Sequence, residues 1–253
     1  MTKFIRRCLG FFVISLILLG GAPGLHAAEI IVKDGQKIAF LGDSITASGW
    51  NNPIGYVNLT IAGLEANGIK VTAIPAGIGG HKSNQMLERL ERDVLDKKPD
   101  WMILSCGLND VWHGAQGVPI EEFKSHVTVI IDKCLAAGVV VVILTTTVIG
   151  EDLNNSYNKQ LSSYNKFLRS LANEKNCLLA DVNTMFQTLI KTSPKPGRVL
   201  TSDGVHMNAE GDKVMAMGIL HVFGLNTRQV KKAEDSWKII FNKGMNKREN
   251  FQY

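Results

Sequence analysis

The segment from Ile120 to Leu144, IEEFKSHVTVIIDKCLAAGVVVVIL, decides the fold class. Its first part, Ile120–Ala137, has apolar residues at helical spacing and follows Pro119, a residue that is favoured in the first turn of a helix. Gly138 then suits the left-handed conformation that commonly ends helices. The last part, Val139–Leu144, is continuously β-branched or leucine, which is typical of a strand buried on both faces. A helix followed this closely by such a strand indicates a parallel α/β sheet.

The same alternation of strands and helices extends along the chain on both sides of this segment. Further strands are predicted at Lys37–Leu41, Lys70–Ile74, Trp101–Ser105 and Cys177–Ala180. Further helices are predicted at Tyr56–Ala66, Ser83–Leu95, Tyr157–Asn173, Thr184–Lys191, from Asn208 as an N-cap, and at about Thr227–Asn242. Short connections between them indicate right-handed crossovers. We therefore expect one α/β domain, a five-stranded parallel sheet with helices on both faces.

Residues 1–28 have the three-part layout of a secretory signal peptide. Three basic residues precede an apolar stretch, Leu9–Leu19, and small residues follow as far as Ala28. The alternative is an uncleaved membrane anchor, but the apolar stretch is too short to span a bilayer comfortably. We expect cleavage just after Ala27 or Ala28, and an exported protein, periplasmic or secreted, that keeps no membrane anchor.

The charge and the cysteines argue against several classes of function. The net charge of +5 falls to +2 when the three basic residues of the signal peptide are removed, so it gives no argument for nucleic acid binding. The basic excess in residues 228–253 is typical of a solvated helix face. Cys106, Cys134 and Cys177 each lie in an apolar segment, which favours buried thiols, with one disulfide as the alternative. No cysteine or histidine spacing predicts a metal site.

Two of the strand exits carry residues suited to catalysis or ligand binding. Parallel α/β sheets bind ligands beyond the carboxyl ends of their strands. At the first exit, Gly42-Asp43-Ser44, the serine is either a helix cap or a nucleophile. At the second, Pro75–Ser83, three glycines allow the backbone to approach a ligand, or form a flexible connector. This loop lacks the spacing of the nucleotide-binding glycine motifs.

Two later segments add an amide and an acid–base pair. Asn109 and Asp110 follow the third strand, either as ordinary turn residues or with the Asn109 amide as an oxyanion donor. Asp203 and His206 lie three residues apart, which is close enough for the carboxylate to orient the imidazole of a general base. The alternative is a histidine on a surface loop. Beyond the fourth strand, Glu151 either lies at the rim of a site or caps a turn.

In this order, the four segments resemble the GDSL or SGNH hydrolases, serine esterases and lipases with a flavodoxin-like three-layer sandwich. The resemblance covers about residues 37–223 and rests on Gly42-Asp43-Ser44, the glycines around Gly80, Gly107-x-Asn109-Asp110 and Asp203-x-x-His206. We expect the hydrolase domain to occupy residues 29–225, followed by a C-terminal helical extension over residues 226–253.

The resemblance implies a role for each matching residue. Ser44 would be the nucleophile, His206 its general base and Asp203 the residue that orients His206. The oxyanion hole would consist of the backbone N–H groups of Ser44 and Gly80 and the side-chain amide of Asn109. No metal or organic cofactor is implied.

The glycine segment departs from the commonest family form. Pro75 or Ala76 stands where an Asn is frequent, and His81 stands where Asp or Asn is frequent, which leaves the hydrogen bonds around Gly80 and the acyl-side pocket open. Aromatic rings near the site would suit stacking on a sugar, with plain packing as the alternative, and the histidines either contact substrate or face solvent. These candidate substrate-lining residues are Trp50, His81, Trp112 and His113.

Export, compact loops and the absence of a long hydrophobic lid segment favour short acyl esters, such as acetyl groups on carbohydrate. The alternatives are a lysophospholipase or thioesterase with the same triad, or an inactive carbohydrate-binding module. The expected partner is a small-molecule or carbohydrate ester, not nucleic acid, and no sequence feature indicates an oligomeric state.

Overall fold

The computed structural model describes residues 30–194 and 197–249, and the side chains as far as Asn242. The predicted signal peptide, residues 1–28, lies outside these ranges. Within them, five strands form one parallel sheet in the order β2-β1-β3-β4-β5. The strands are β1 (Lys37–Gly42), β2 (Thr72–Gly77), β3 (Trp101–Ser105), β4 (Val140–Leu144) and β5 (Leu178–Ala180). The strand order reverses between β1 and β3, which is where sheets of this kind open a crevice for ligands.

Helices cover both faces of the sheet, so the predicted three-layer α/β sandwich is confirmed. Helices α2, α8, α9 and α10 pack together on one face, and α3, α6 and α7 pack on the other. The helices are α1 (Ser44–Asn51), α2 (Tyr56–Ala66), α3 (Ser83–Glu88), α4 (Leu90–Asp93), α5 (Leu108–Trp112), α6 (Ile120–Ala136), α7 (Ser156–Glu174), α8 (Val182–Thr192), α9 (Ala209–Val222) and α10 (Thr227–Glu249). Short 3-10 turns lie at Leu95–Lys97 and Gly114–Gln116. No helix in the described ranges is long and apolar enough to cross a membrane.

The central strands are buried on both faces along most of their length, although Val140, at the start of β4, is 42% exposed. All side chains from Ile38 to Leu41 and from Trp101 to Leu104 are buried. Strand β2 was predicted to end at Ile74 but continues through Pro75 to Gly77. Since β2 is an edge strand that pairs only with β1, a proline that cannot donate a hydrogen bond is tolerated there.

The helix predicted over Ser83–Leu95 is instead interrupted at Arg89, which separates α3 from α4. The Arg89 side chain is buried and bonds to groups at the ends of β1 and β2. A buried guanidinium needs hydrogen-bond acceptors, and the bend allows Arg89 to reach them. Periodicity alone carries no signal for this interruption.

The C-terminal helix packs on the domain through three apolar side chains. Val230 and Trp237 are buried, and Phe241 lies partly buried against the core. The Trp237 indole N–H donates to the Leu59 carbonyl at 2.8 Å, which fixes α10 on α2. This helix was predicted to end at about Asn242 but extends to Glu249.

Candidate active site

Ser44 lies directly beyond β1, at the first position of α1. Asp43 is the N-cap of this helix, because its carboxylate accepts a hydrogen bond from the Ile45 N–H at 2.9 Å. The Thr46 side chain lies so close to the backbone of residue 42 that only glycine fits there, since a Cβ would overlap it. Because Asp43 caps the helix, the Ser44 hydroxyl is available for another partner.

That partner is His206, which links Ser44 to Asp203. The His206 Nε2 atom lies 3.0 Å from the Ser44 Oγ, and its Nδ1 atom lies 2.6 Å from the Asp203 Oδ2. Ser44 and His206 are 162 residues apart in the chain. The structure therefore brings the three predicted triad residues together. One imidazole nitrogen of His206 contacts Ser44 and the other contacts Asp203.

Asp203 is held in the ionised form. Its Oδ1 accepts hydrogen bonds from the backbone N–H groups of Val205 and His206, at 2.8 and 2.7 Å. Burial by itself raises the pKa of Asp203, but these bonds and the contact with the His206 imidazole outweigh it and lower the pKa to about 2. A carboxylate that stays charged at neutral pH suits the stabilisation of a protonated imidazole.

The three predicted oxyanion donors lie at the ends of adjacent strands. The Ile78 N–H donates to the Gly42 carbonyl at 3.1 Å, and a Cβ added to Gly79 would lie 3.9 Å from the Ser44 Cβ. The Asn109 amide donates to the His81 carbonyl at 3.1 Å. These contacts bring the glycine segment and Asn109 to the side of the sheet on which Ser44 lies.

Two of the donors are free to bind a ligand. Gly80 adopts a left-handed conformation, with φ of +74°, which a glycine adopts without strain. Within the described ranges, the backbone N–H groups of Ser44 and Gly80 have no acceptor in the protein. Free donors beside a nucleophile are what a developing oxyanion requires.

Arg89 connects the ends of β1 and β2 with the glycine segment, and sequence reasoning missed it. Its guanidinium donates to the carbonyls of Gly42 and Ala76, both at 2.8 Å, and to the His81 Nδ1 at 3.1 Å, and it forms an ion pair with Asp93. Burial and the Arg89 cation lower the pKa of His81. A neutral His81 can accept the Arg89 hydrogen bond, so one side of its ring is already engaged.

Asp110 anchors the segment that follows the glycines. Its carboxylate accepts bonds from the Ser83 N–H and hydroxyl, and the same hydroxyl lies 3.1 Å from the His126 Nδ1. Burial raises the pKa of Asp110, although the bonds from Ser83 oppose this. Asn109 and Asp110 thus both make specific contacts with the glycine side of the site.

The candidate substrate-lining residues have different surroundings. The Trp112 ring packs edge-on against the His206 ring at 6.3 Å between centroids, and 39% of the residue is exposed. Trp112 also contacts His113, at 6.0 Å. Trp50 is equally exposed but lies six residues beyond Ser44, about 9 Å along the axis of α1. Of these two tryptophans, Trp112 is the one whose ring packs against His206.

Glu151 is a second residue whose contacts the sequence did not predict. Its carboxylate accepts hydrogen bonds from the backbone N–H groups of Val199, Leu200 and Thr201 and from the Thr201 hydroxyl. A turn cap would have local partners, whereas the partners of Glu151 lie about 50 residues further along the chain, in the segment that leads to Asp203 and His206.

Metal ligation has no support in the described ranges. They hold no group of three or more histidine, cysteine, aspartate or glutamate side chains that could bind a metal ion. Cys106 and Cys134 are buried free thiols, as predicted, and Cys177 is a free thiol that is only partly buried.

Comparison with known proteins points to one family. The family model described as the GDSL-like lipase/acylhydrolase family matches residues 40–214. The chain is 27% identical over 216 residues to an acetylxylan esterase from Geobacillus stearothermophilus, and the match covers 76% of this chain and 96% of that protein.

Two crystal structures are similar over most of the chain. One, of the acetyl xylan esterase AlAXEase, has a TM-score of 0.67 and 33% identity, covering 72% of this chain and 97% of that one. The other, of an acetylxylan esterase from Geobacillus stearothermophilus, has a TM-score of 0.71 and 25% identity, covering 78% and 97%. The segment matched by the family model includes both Ser44 and His206.

Proposed function

The chain belongs to the GDSL-like lipase/acylhydrolase family and is a carboxylic ester hydrolase, and from this premise we propose that it removes O-acetyl groups from carbohydrate. One observation above all supports the proposed chemistry: His206 contacts Ser44 through one ring nitrogen and Asp203 through the other. The substrate class rests on similarity to acetylxylan esterases and on the exposed Trp112 ring beside His206.

The first half of the proposed reaction forms an acetyl-enzyme. The Ser44 Oγ attacks the ester carbonyl carbon while its proton passes to the His206 Nε2. The carbonyl oxygen becomes an oxyanion that accepts hydrogen bonds from the N–H groups of Ser44 and Gly80 and from the Asn109 amide. When the intermediate collapses, the bond from the carbonyl carbon to the sugar oxygen breaks, and His206 gives its proton to that oxygen, which leaves as the sugar hydroxyl.

The second half returns the enzyme to its starting state. A water molecule gives a proton to His206 as it attacks the acetyl-enzyme, and the same donors hold the new oxyanion. The bond to Ser44 then breaks, the Ser44 Oγ takes the proton back from His206, and acetic acid leaves and loses its proton to solvent. Asp203 keeps the Nδ1–H pointing toward itself throughout, so that Nε2 always faces the reacting atoms.

We place this reaction outside the cytoplasm, because residues 1–28 have the layout of a signal peptide. The substrate would then be an acetylated polysaccharide or an oligosaccharide derived from one. The position of Trp112 suits a pyranose ring stacked beside the scissile ester.

The test is a series of p-nitrophenyl esters of increasing acyl length, run beside acetylated xylan. We expect the highest kcat/KM for the acetate ester of the series, and release of acetic acid from the acetylated xylan. Preference for acyl chains of about eight carbons or more would favour a lysophospholipase or thioesterase instead, because long chains contribute apolar contact area.

The proposed nucleophile is tested separately with a fluorophosphonate, which reacts with activated serines. Wild-type protein should be labelled and Ser44→Ala should not. Equal labelling of the two proteins would contradict the assignment of Ser44, and absence of labelling in both would favour the inactive carbohydrate-binding module.

A further inference from the structure

The loop that carries Asp203 and His206 depends on contacts outside itself. This loop, residues 199–207 and here named the Asp–His loop, closes on itself through a bridge between Thr201 and Met207 and a 2.8 Å bond from the Ser202 N–H to the His206 carbonyl. These internal bonds define its shape. They do not fix where the loop lies relative to the sheet and to Ser44.

Glu151 supplies a connection at the start of the Asp–His loop. Its carboxylate accepts four hydrogen bonds, of 2.5 to 2.9 Å, from three successive backbone N–H groups and one hydroxyl, which belong to residues 199–201. Leu200 and Thr201 are buried. Hydrogen bonds to a charged group are about twice as strong as those between neutral groups. The Glu151 carboxylate therefore binds the N–H groups of the first three residues of the loop, while Asn208, the N-cap of α9, binds their carbonyl groups.

A second contact lies beside the first. The Gly150 N–H donates to the carbonyl of Gly204 at 2.6 Å, and Gly204 lies between Asp203 and His206 in the chain. Adjacent residues of one segment, Gly150 and Glu151, thus hold both the start and the middle of the Asp–His loop.

The segment that carries Glu151 is itself anchored to α7. The Asn158 amide donates to the carbonyls of Gly150 and Asp152, at 3.0 and 2.9 Å, and the Asn158 Oδ1 accepts the Ile149 N–H at 3.0 Å. These bonds hold the backbone on both sides of Glu151. The carboxylate is therefore attached to the sheet and helix framework rather than to a free loop.

We infer that Glu151 is a positioning residue for the reaction, which sets the place of His206 relative to Ser44 by holding the Asp–His loop. This inference rests on the proposed function, because it assigns Glu151 a role through the proposed triad. Burial by itself raises the pKa of Glu151, but its four donors outweigh burial and lower the pKa, so the carboxylate is charged when it binds the loop.

The test compares Glu151→Ala and Glu151→Gln with Asp152→Asn. Alanine removes all four bonds, whereas glutamine keeps one carbonyl oxygen and turns an NH2 group toward a backbone donor. Asp152 is a matched control, because its carboxylate accepts the N–H of Asn154 within its own turn. The fluorophosphonate reaction gives both the number of reactive Ser44 sites and the rate constant of inactivation.

We expect the inactivation rate constant and the kcat per titrated site to fall roughly 10- to 100-fold in Glu151→Ala and less in Glu151→Gln, since small misplacements of catalytic groups have effects of this size. The KM should stay within about threefold, and Asp152→Asn should match wild type within about twofold. A purely structural role would reduce the number of titrated sites but leave the turnover of each site unchanged.

The proposal is overturned if both Glu151 variants react per site like wild type, if Asp152→Asn loses as much as they do, or if neither variant keeps the native circular dichroism spectrum. The proposal also predicts that Glu151→Ala lowers the rate per titrated site by a smaller factor when Asp203→Asn is already present. In that background the orientation of His206 is already impaired, so holding the loop matters less. If wild type itself fails to react, the proposed triad is wrong and the role of Glu151 falls with it.

Discussion

Asp212 gives the sharpest test of the energetics, because its carboxyl is buried with little hydrogen bonding to offset the burial. It lies in α9, is 5% exposed, and accepts the Tyr56 N–H at 2.8 Å. Burial raises the pKa of Asp212 from 3.8 to about 7, and the bond from Tyr56 opposes this only in part. The perturbation is Asp212→Asn, which keeps an oxygen for Tyr56 and removes the titration.

The sign of the pH effect on stability follows from the pKa of Asp212 in the folded and unfolded states. The pKa of Asp212 is higher in the folded protein than in the unfolded chain, so the folded state loses stability as the pH rises from about 4 to 7. The full cost at pH 8 is on the order of 4 kcal/mol, of which about 2.5 kcal/mol develops between pH 5 and pH 8. The amide that replaces the carboxyl in the variant is neutral throughout this range.

The assay is urea unfolding of wild type and Asp212→Asn at pH 5 and pH 8, followed by tryptophan fluorescence. We expect the variant's free energy of unfolding to gain about 2.5 kcal/mol on wild type between the two pH values. Taking the difference between the two proteins removes the titration of other groups, such as the buried Asp43. An equal variant-to-wild-type difference at both pH values would refute the reasoning.

Four further changes probe the site. Asp203→Asn should lower kcat about 10³- to 10⁴-fold, because the imidazole loses its orienting carboxylate, and a loss below about tenfold in steady-state kinetics would contradict this role. Asn109→Ala should lower kcat about 10²- to 10³-fold with little change in KM, whereas a change in KM alone would point to substrate binding only. Arg89→Lys should lower the thermal midpoint and kcat together, because one ammonium cannot reach all the acceptors of the guanidinium, and wild-type values of both would show that the network is dispensable. Trp112→Ala should raise KM about tenfold for acetylated xylo-oligosaccharides but not for ethyl acetate, and an equal rise for both would exclude sugar stacking.

Much of the fold follows from local patterns. The unbroken apolar run of β4 predicts a strand in the interior of a parallel sheet, because only such strands are buried on both faces. The glycine after α6 and the asparagine before α9 mark helix ends by their conformational and hydrogen-bonding preferences. Where two local preferences conflict, as at Pro75 in an edge strand, the predicted boundary is wrong by a few residues.

The meeting of Ser44, Asp203 and His206 follows the family resemblance, because that resemblance rests on short motifs at strand ends. Asp203 and His206 are three residues apart, so their contact is local, and the position of Ser44 directly after β1 places it at the reversal of strand order. The sequence by itself thus determined the sheet, the order of its strand exits and the residue types available for acyl transfer.

The supporting contacts were decided only by the tertiary structure. From the sequence, Arg89 is one position of a continuous helix, and Glu151 is either a rim or a turn residue. Their actual partners lie far along the chain and depend on how separate loops meet. Which residue caps α1 was likewise ambiguous until Asp43 was found to accept the Ile45 N–H, leaving the Ser44 hydroxyl for His206. Local preference depends on neighbouring residues, whereas the geometry of the site depends on hydrogen bonds between distant segments that form only once the core has packed.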